Sequence, residues 1–305
     1  MDIPPEVRAL AEDPFAHCAD PPEELGFARL VDDRFVVQST PVIQVVERLR
    51  LEPEDVAGAV DEVRAFLRSR GHIRAFWLVG DSTAPEDLEE RLRALGMTTN
   101  DQPPLEAEEV AMALVHPPAA ERPRDVDAGA VRTVEEALAA VDVGIDVFGM
   151  PSDQRSGMHD VARRAFEYWK MRAREPLVRT YVARLDGEVV GVARALLAYE
   201  GVNLIGGAVL ERARRRGVYR SLVWARWDDA VARGTPALTV QAGKMSLPIL
   251  ATRLRSRRQG ARAAGSLLTG LGALLHGLPV GEQAIADAPD VEDAVLGACL
   301  RELPA

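Results

Sequence analysis

Residues 204–222, LIGGAVLERARRRGVYRSL, constrain the fold of this 305-residue chain more than any other stretch. A short apolar run is followed by an arginine-rich loop with one glycine, Gly217, and then by the start of an amphipathic segment. This order predicts a β-strand that passes through a basic loop directly into an α-helix. The first amides of such a helix lack acceptors and the helix dipole adds positive charge, so the pattern indicates an anion site, most simply for phosphates. The alternative is a solvated basic turn.

Length and charge restrict the classes of protein to which the chain can belong. A chain of 305 residues favours two units with a modest core each. The net charge of −10 argues against a nucleic-acid partner, because a phosphate backbone would be repelled. The two cysteines, Cys18 and Cys299, lie far apart and show no metal or redox spacing, so we expect neither a disulfide framework nor a bound metal.

The first residues, MDIPPEVRAL, are acidic and proline-rich where a signal peptide is basic and apolar. The longest uncharged run, residues 263–281, is too polar and too rich in glycine for a membrane span. We therefore expect a cytoplasmic protein without a membrane partner. The sequence does not predict an oligomeric state.

The first unit, residues 1–118, is predicted to combine short strands with amphipathic helices. The predicted elements are two strands within residues 27–38, a helix at 53–70, a strand at 72–79 and a closing strand at 110–115. A second helix should begin after residue 79, with Ser82 or Thr83 as its N-cap. Residues 116–124, HPPAAERPR, contain three prolines and no periodicity, so they predict a linker.

The second unit is predicted to run as a strand, two helices, three strands, a helix, a strand and a helix. The predicted strands are at residues 130–134, 178–184, 188–196, 204–210 and 237–242, and the helices at 135–147, 158–174, from the basic loop to 233, and 245–254. Asp186 and Gly187 indicate a tight hairpin between the second and third strands.

A weak internal repeat relates the two units. The strand at 72–79 and the helix after it resemble the strand at 237–242 and the segment that carries Ser246, Pro248 and Leu250. The chain is therefore predicted to be a duplicated α/β unit in which only the second copy has the basic loop.

The loop and the order of elements around it carry a family resemblance. The loop at residues 214–219, RRRGVY, is similar to the Q/R-x-x-G-x-G/A pattern with which the GNAT superfamily of acyl-CoA-dependent N-acyltransferases binds the coenzyme A pyrophosphate. The flanking GGAVLERARRRGVYRSLV and QAGKMSLPIL strengthen the resemblance, which covers residues 125–254. The N-terminal half resembles the degenerate copy of tandem members. The resemblance implies an α/β fold of the α+β type, with a mixed, mostly antiparallel splayed sheet flanked by helices, in duplicate.

The resemblance also implies a coenzyme site and a reaction. Residues 1–118 would be the degenerate domain, 119–254 the acetyl-CoA-binding domain and 255–305 an atypical tail. The protein would be an acetyl-CoA-dependent N-acetyltransferase whose acceptor is a primary amine of a small molecule or peptide, with acetyl-CoA as co-substrate and no metal. The implied coenzyme-binding residues are Ala208, Val209, Leu210, Arg214, Arg215, Arg216, Gly217, Val218, Tyr219, Arg220 and Ser221.

Three departures from the family pattern bear on activity. Tyr219 stands where glycine or alanine is usual, and Arg215 where glycine is frequent. After residue 254 the chain reads RSRRQGARAAG, which does not resemble the closing hairpin of an acyltransferase sheet. Two hypotheses for the tail are an unrelated extension that leaves the sheet short, and a helical appendage formed by residues 282–303.

Aminolysis of a thioester needs a base, or a water path, to free the amine and an acid to protonate the leaving thiolate. Glu200 and Glu211 flank the central strand and are the candidate bases, although each also fits a solvated turn residue. Tyr219 is the candidate acid, with a role as a wall residue as the alternative. No tyrosine lies between Val240 and Ala305, where the family often has its acid. A non-catalytic acyl-CoA-binding or scaffolding protein is therefore the competing hypothesis.

Overall fold

The computed structural model describes residues 3–40, 43–98, 109–149, 152–172, 175–243 and 257–259. Within these ranges the chain forms two β-sheets, one of four strands and one of seven, flanked by α-helices. Both sheets mix antiparallel with parallel pairs, and antiparallel pairs predominate, as the duplicated fold predicted.

The first sheet is built from the N-terminal part of the chain. Its strands and the neighbouring helices are α1 (Pro5–Glu12), β1 (Ala28–Val31), β2 (Val36–Ser39), β3 (Gln44–Glu47), α2 (Val56–Ser69), β4 (Phe76–Trp77) and α3 (Leu88–Ala94). The strand order is β1-β2-β3-β4, antiparallel except for the parallel pair β3–β4. Helix α2 buries the stripe Val56, Val60, Val63 and Leu67 against this sheet, as its apolar period predicted.

Two details of the first unit differ from the prediction. The strand expected at residues 72–79 is confined to Phe76–Trp77. The following helix begins at Leu88 with Asp87 as N-cap, so the predicted capping by Ser82 or Thr83 was wrong. Thr83 instead accepts a hydrogen bond from the Gly80 amide at 2.9 Å and closes a turn ahead of the helix, an alternative that short hydroxyl side chains offer the backbone.

The second sheet contains the remaining strands. The elements are β5 (Val110–Leu114), β6 (Asp127–Ala130), α4 (Val134–Phe148), α5 (Arg155–Arg172), β7 (Val178–Leu185), β8 (Glu188–Leu197), β9 (Val202–Val209), α6 (Val218–Ala232), β10 (Leu238–Ala242) and β11 (Arg257–Gln259). Their order in the sheet is β11-β5-β10-β9-β8-β7-β6. Strand β6 lies a few residues earlier than the strand predicted at 130–134. The reason is that Thr133 already caps α4 by accepting a hydrogen bond from the Glu136 amide.

Strand β5 is the main correction to the predicted organisation. It was expected to close the first unit, but it pairs antiparallel with β10 over its full length in the second sheet. Helix α1 also contacts this edge, where the Gln241 side chain donates to the Glu12 carbonyl at 3.0 Å. The paired strands therefore lie on opposite sides of the domain boundary predicted at residue 118. The boundary itself stays a prediction.

The beginning of the tail also contributes to the sheet. Residues Arg257–Gln259 form a short strand antiparallel to β5. They form one strand and not a hairpin within the part of the chain that the structure describes. The hypothesis of an unrelated extension that leaves the sheet short stays a prediction. The helix predicted at 245–254 and the appendage predicted at 282–303 lie outside the described residues.

Strands β9 and β10 separate along their length. They pair in parallel only through Leu238 with Val202 and Thr239 with Asn203, where the Asn203 side chain also donates to Thr239 Oγ1 at 3.0 Å. Beyond these pairs the β10-facing edge of β9 has no strand partner among the described residues. The splay predicted for this place is thereby confirmed.

Candidate active site

The loop between β9 and α6 adopts two left-handed backbone conformations. A single 3₁₀ turn, Glu211–Ala213, follows β9, and Arg215 then takes a φ of 60°. Gly217 takes a φ of 83° and is the N-cap of α6, without a side-chain capping bond. Glycine adopts this conformation at low cost, whereas an arginine is strained in it. The loop therefore turns sharply at Gly217 into the start of α6.

The start of α6 provides free backbone donors. The amides of Val218, Tyr219 and Arg220 precede the first possible acceptor within the helix, so they point outward at its positive end. The Ser221 amide, predicted to belong to the same set, instead donates to the Gly217 carbonyl at 2.9 Å. Three amides, and not four, are consequently available to an anion at this point.

Four arginines lie close to these amides in the sequence: Arg214, Arg215, Arg216 and Arg220. Arg215 and Arg216 are exposed, and no acidic side chain in the described ranges pairs with either. Arg214 lies closer to the sheet, where its Nε donates to the Val209 carbonyl at 3.4 Å. Arg220 is half-buried and its Nε has no partner. The loop thus joins unpaired positive charge to open amide donors, which is the combination that binds phosphates.

A β-bulge in β9 marks the middle of the sheet. Ala193 pairs with Gly207 and Arg194 with Ile205, so Gly206 has no partner on β8 and takes a φ of 55°. A small cleft opens at this bulge. Its lining comes from α4, β8 and β9: Gly144, Phe148, Val192, Ala193, Arg194, Gly206, Gly207 and Ala208.

The cleft and the basic loop are connected by one strand. Ala208 lines the cleft, and Val209 and Leu210 lead from it into the loop. Since no strand among the described residues pairs with the β10-facing edge of β9 there, its peptide groups can pair with an extended ligand. A molecule that carries phosphates at one end and peptide-like amides along its length fits this path from the loop to the bulge.

Comparison with known proteins agrees with this geometry. Residues 148–245 match the acetyltransferase (GNAT) family, a range that includes the bulge, the splay and the basic loop. The fold resembles that of a GCN5-related N-acetyltransferase from Kribbella flavida, with 17% identity, 88% of this chain and 98% of that chain covered, and a TM-score of 0.59. A tandem GNAT protein from the clavulanic acid biosynthesis pathway is similar too, with 15% identity, coverage of 87% and 88%, and a TM-score of 0.52. The chain has the GNAT fold.

Other comparisons add little beyond this fold. A GCN5-related N-acetyltransferase from Sphaerobacter thermophilus aligns with 15% identity, 77% of this chain and 76% of that chain, at a TM-score of 0.51. No curated protein matches the chain in sequence.

Across the described ranges no group of His, Cys, Asp and Glu side chains is arranged to hold a metal ion, and none of the helices is long and apolar enough to cross a membrane.

The three predicted acid–base residues of the GNAT domain lie in different places. Glu200 is in the turn between β8 and β9, at the end where β9 still pairs with β10, and its Oε2 is 3.0 Å from His17 Nδ1. Glu211 is exposed in the loop after β9. Neither lines the cleft. The ring of Tyr219 lies near Gly207: a Cβ built on that glycine would be 3.4 Å from Tyr219 Cε2.

Sequence reasoning missed Arg194, the charged side chain among the residues that line the cleft of the GNAT domain. Burial lowers the pKa of its guanidinium to about 10. The signal was a single arginine in the middle of the apolar strand VVGVARALL. A charge in a strand whose neighbours are buried on both sides requires either a partner or a function.

Proposed function

We propose that the chain is an acyl-CoA-dependent N-acyltransferase that uses acetyl-CoA and a primary amine carried by a small molecule or a peptide. The observation that carries the proposal is the continuity between two features. The first feature is the set of three open amides at the start of α6, and the second is the bulge at Gly206. The edge of β9 that has no partner among the described strands connects them. Along this path, N–H groups that can bind phosphates come first, and peptide groups that can pair with amides follow. Coenzyme A carries its phosphates and its amides in the same order.

The residues present fit the coenzyme. The amides of Val218, Tyr219 and Arg220 would hold its pyrophosphate, and the unpaired guanidinium groups of Arg215 and Arg216 would neutralise its charge. When bound, acetyl-CoA supplies an activated acyl group. The open edge of β9 near Ala208 would orient the amide-bearing arm toward the cleft.

Tyr219 is the predicted acid–base residue for which we propose a role in proton transfer. Its ring contacts β9 at Gly207, on the face of the sheet that carries α6. A phenolic hydroxyl beside the strand that leads to the cleft can give a proton to a leaving thiolate. The amine would lose its proton to water, since the described lining of the cleft contains no carboxylate or imidazole.

A non-catalytic acyl-CoA-binding protein is the second candidate. The same composition of the cleft lining favours it, because neither Glu200 nor Glu211 reaches the cleft. Both candidates share the coenzyme site and differ in turnover. For either one we propose a cytoplasmic location, in keeping with the free buried thiol of Cys18.

Calorimetric titration with acetyl-CoA tests the shared site. Arg216→Glu should weaken binding by about tenfold, since it reverses one charge beside the phosphates. Arg68→Glu makes the same change on an exposed position of α2 and should leave the affinity unchanged. Equal effects of the two variants, or no binding by the wild type, would refute the coenzyme site.

Release of coenzyme A over a panel of primary amines then separates the two candidates. Chromatographic detection of the product avoids interference from the protein's own thiols. Turnover that falls in Tyr219→Phe while acetyl-CoA affinity stays unchanged would support the enzyme and the role of the hydroxyl. Binding without turnover on any amine would support the non-catalytic candidate.

A further inference from the structure

Arg194 is unusual among the arginines of the second sheet because its guanidinium has no partner in the described ranges. On the adjacent strand β7, Arg179 pairs with Asp229 and Glu175, and Arg184 pairs with Asp127 and Glu136. Arg194, one strand further into the sheet, makes neither an ion pair nor a side-chain hydrogen bond.

The side chain of Arg194 belongs to the face of the sheet that carries the cleft. Gly191 faces α6, since a Cβ there would lie 2.6 Å from Val218 Cγ1. Because successive side chains of a strand alternate, Arg194 lies on the opposite face. Gly144 and Phe148 of α4 line the same cleft and contribute no charge to it. The guanidinium therefore stands in a partly desolvated space without a counter-ion.

Such a charge is costly unless something binds to it. Burial of Arg194 disfavours its charged form, which is the reason its pKa is lowered. The planar fork of an arginine matches the two oxygens of a carboxylate, and one cation balances one negative charge. A phosphate would leave excess negative charge in this cleft, and the proposed function places the phosphates of the coenzyme at the start of α6.

We propose that Arg194 binds a carboxylate of the substrate and thereby determines specificity beside the transferred acyl group. The inference rests on the proposed function, since it places the reacting end of the coenzyme at the bulge of β9. Gly206, Gly207 and Ala208 line both the open edge of β9 and the cleft, so Arg194 is within the space shared by the acyl group and the acceptor. The carboxylate belongs either to the acyl group or to the amine acceptor.

Two matched comparisons distinguish these sources. For the acyl group, calorimetry compares succinyl-CoA with butyryl-CoA, which have acyl chains of equal carbon number with and without a carboxylate. For the acceptor, calorimetry on protein saturated with coenzyme A compares amino acids with the corresponding amino acid amides. The wild type should prefer the carboxylate member of one pair by at least about tenfold, the effect of one charge-assisted hydrogen-bonded pair.

Three variants test whether Arg194 is responsible. Arg194→Gln should abolish the preference, Arg194→Lys should keep part of it, and Arg68→Gln should keep all of it. Affinity for acetyl-CoA should stay within about twofold in all three, because the amides and arginines of the loop are unchanged. Circular dichroism and thermal unfolding confirm that each variant is folded.

The outcomes separate this inference from the proposed function. Acetyl-CoA binding without a carboxylate preference in either pair, or a preference that persists in Arg194→Gln, would overturn the role of Arg194 and leave the proposed function intact. An absence of binding by any acyl-CoA would overturn both.

Discussion

Pro123 packs directly against Gly217, so that a Cβ on this glycine would lie 2.6 Å from Pro123 Cγ and 3.0 Å from Pro123 Cβ. Pro123 belongs to residues 116–124, which the sequence predicted to be a linker. Nearby, Trp224 Nε1 donates to the Ala120 carbonyl at 2.9 Å, which holds this segment against α6. Gly217 is thus required both for its positive φ and for the space that Pro123 occupies.

Gly217→Ala should destabilise the protein and weaken acetyl-CoA binding, because the methyl group strains the left-handed backbone and collides with Pro123. Gly234→Ala is the matched control, since Gly234 follows the other end of α6 with a φ of 76° and open space around it. We expect a loss of about 1 kcal/mol in urea unfolding for Gly234→Ala with unchanged affinity, and a larger loss for Gly217→Ala.

The double variant Gly217→Ala/Pro123→Ala isolates the collision from the backbone strain. It should recover part of the stability lost by Gly217→Ala, because the methyl group then has room. If Gly217→Ala and Gly234→Ala cost the same and neither alters acetyl-CoA affinity, the contact with Pro123 has no energetic role.

Arg215→Gly should raise the free energy of unfolding by a few tenths to about 1 kcal/mol, because the arginine holds a φ of 60°. Arg216→Gly removes the same charge from the next residue, which is exposed and is not in the left-handed region. That variant should lose about 0.5–1 kcal/mol through backbone entropy. Both should bind acetyl-CoA more weakly in calorimetry, and opposite signs in the urea titrations are the decisive result.

The sequence predicted local elements better than the pairing between them. The hairpin at Asp186–Gly187, the period of α2 and the loop at Gly217 depend on residues close in the chain, and all three are present in the structure. The place of β5 beside β10 depends on a partner more than 120 residues away, which no local pattern encodes. Strand propensity identifies a strand but not its neighbour.

The candidate site shows the same division. The pattern around Gly217 located the amides of α6, because a glycine and basic residues before a helix have a direct physical meaning. Arg194 was not found, since its importance comes from the absence of a partner on the strands and helices around it. Glu200 was chosen for its position beside the central strand, and its contact with His17 depends on the N-terminal segment.

Asp229→Asn should destabilise the protein by about 2 kcal/mol, because the half-buried guanidinium of Arg179 then keeps the more exposed carboxylate of Glu175 and loses the less exposed one. Both carboxylate oxygens of Asp229 accept from Arg179 Nη1, at 2.5 and 2.7 Å, and one also accepts from the Tyr181 hydroxyl. Burial raises the pKa of Tyr181, so its hydroxyl stays protonated and donates to Asp229.

Asp228→Asn provides the control for this variant on the adjacent residue. Asp228 pairs with Arg122 at 2.6 Å, but its side chain is 49% exposed, compared with 18% for Asp229. The change should therefore cost less than about 0.5 kcal/mol in chemical unfolding. Similar losses for the two variants would contradict the importance of the pair between β7 and α6.

The buried thiol of Cys18 should make stability depend on alkaline pH. Burial raises its pKa from 9.0 to about 12, while the unfolded thiol ionises at its ordinary value. The thiol's contribution is complete below pH 9 and is lost as the pH rises toward 12, because only the unfolded state then releases the proton. The stability advantage of the wild type over Cys18→Ala should shrink by about 1 kcal/mol between pH 7.5 and pH 10. Urea titrations at both values measure this, and a constant difference would refute the raised pKa.

The position of β5 has a consequence for how the protein is made. The ribosome releases Val110–Leu114 long before it has synthesised Leu238–Ala242, the strand beside which these residues lie. At about 5–20 residues per second, this apolar segment waits on the order of ten seconds for its neighbour. During that interval its peptide groups and buried side chains are open to chaperones and to other nascent chains. Strand β5 therefore cannot pair with β10 before the C-terminal part has been synthesised.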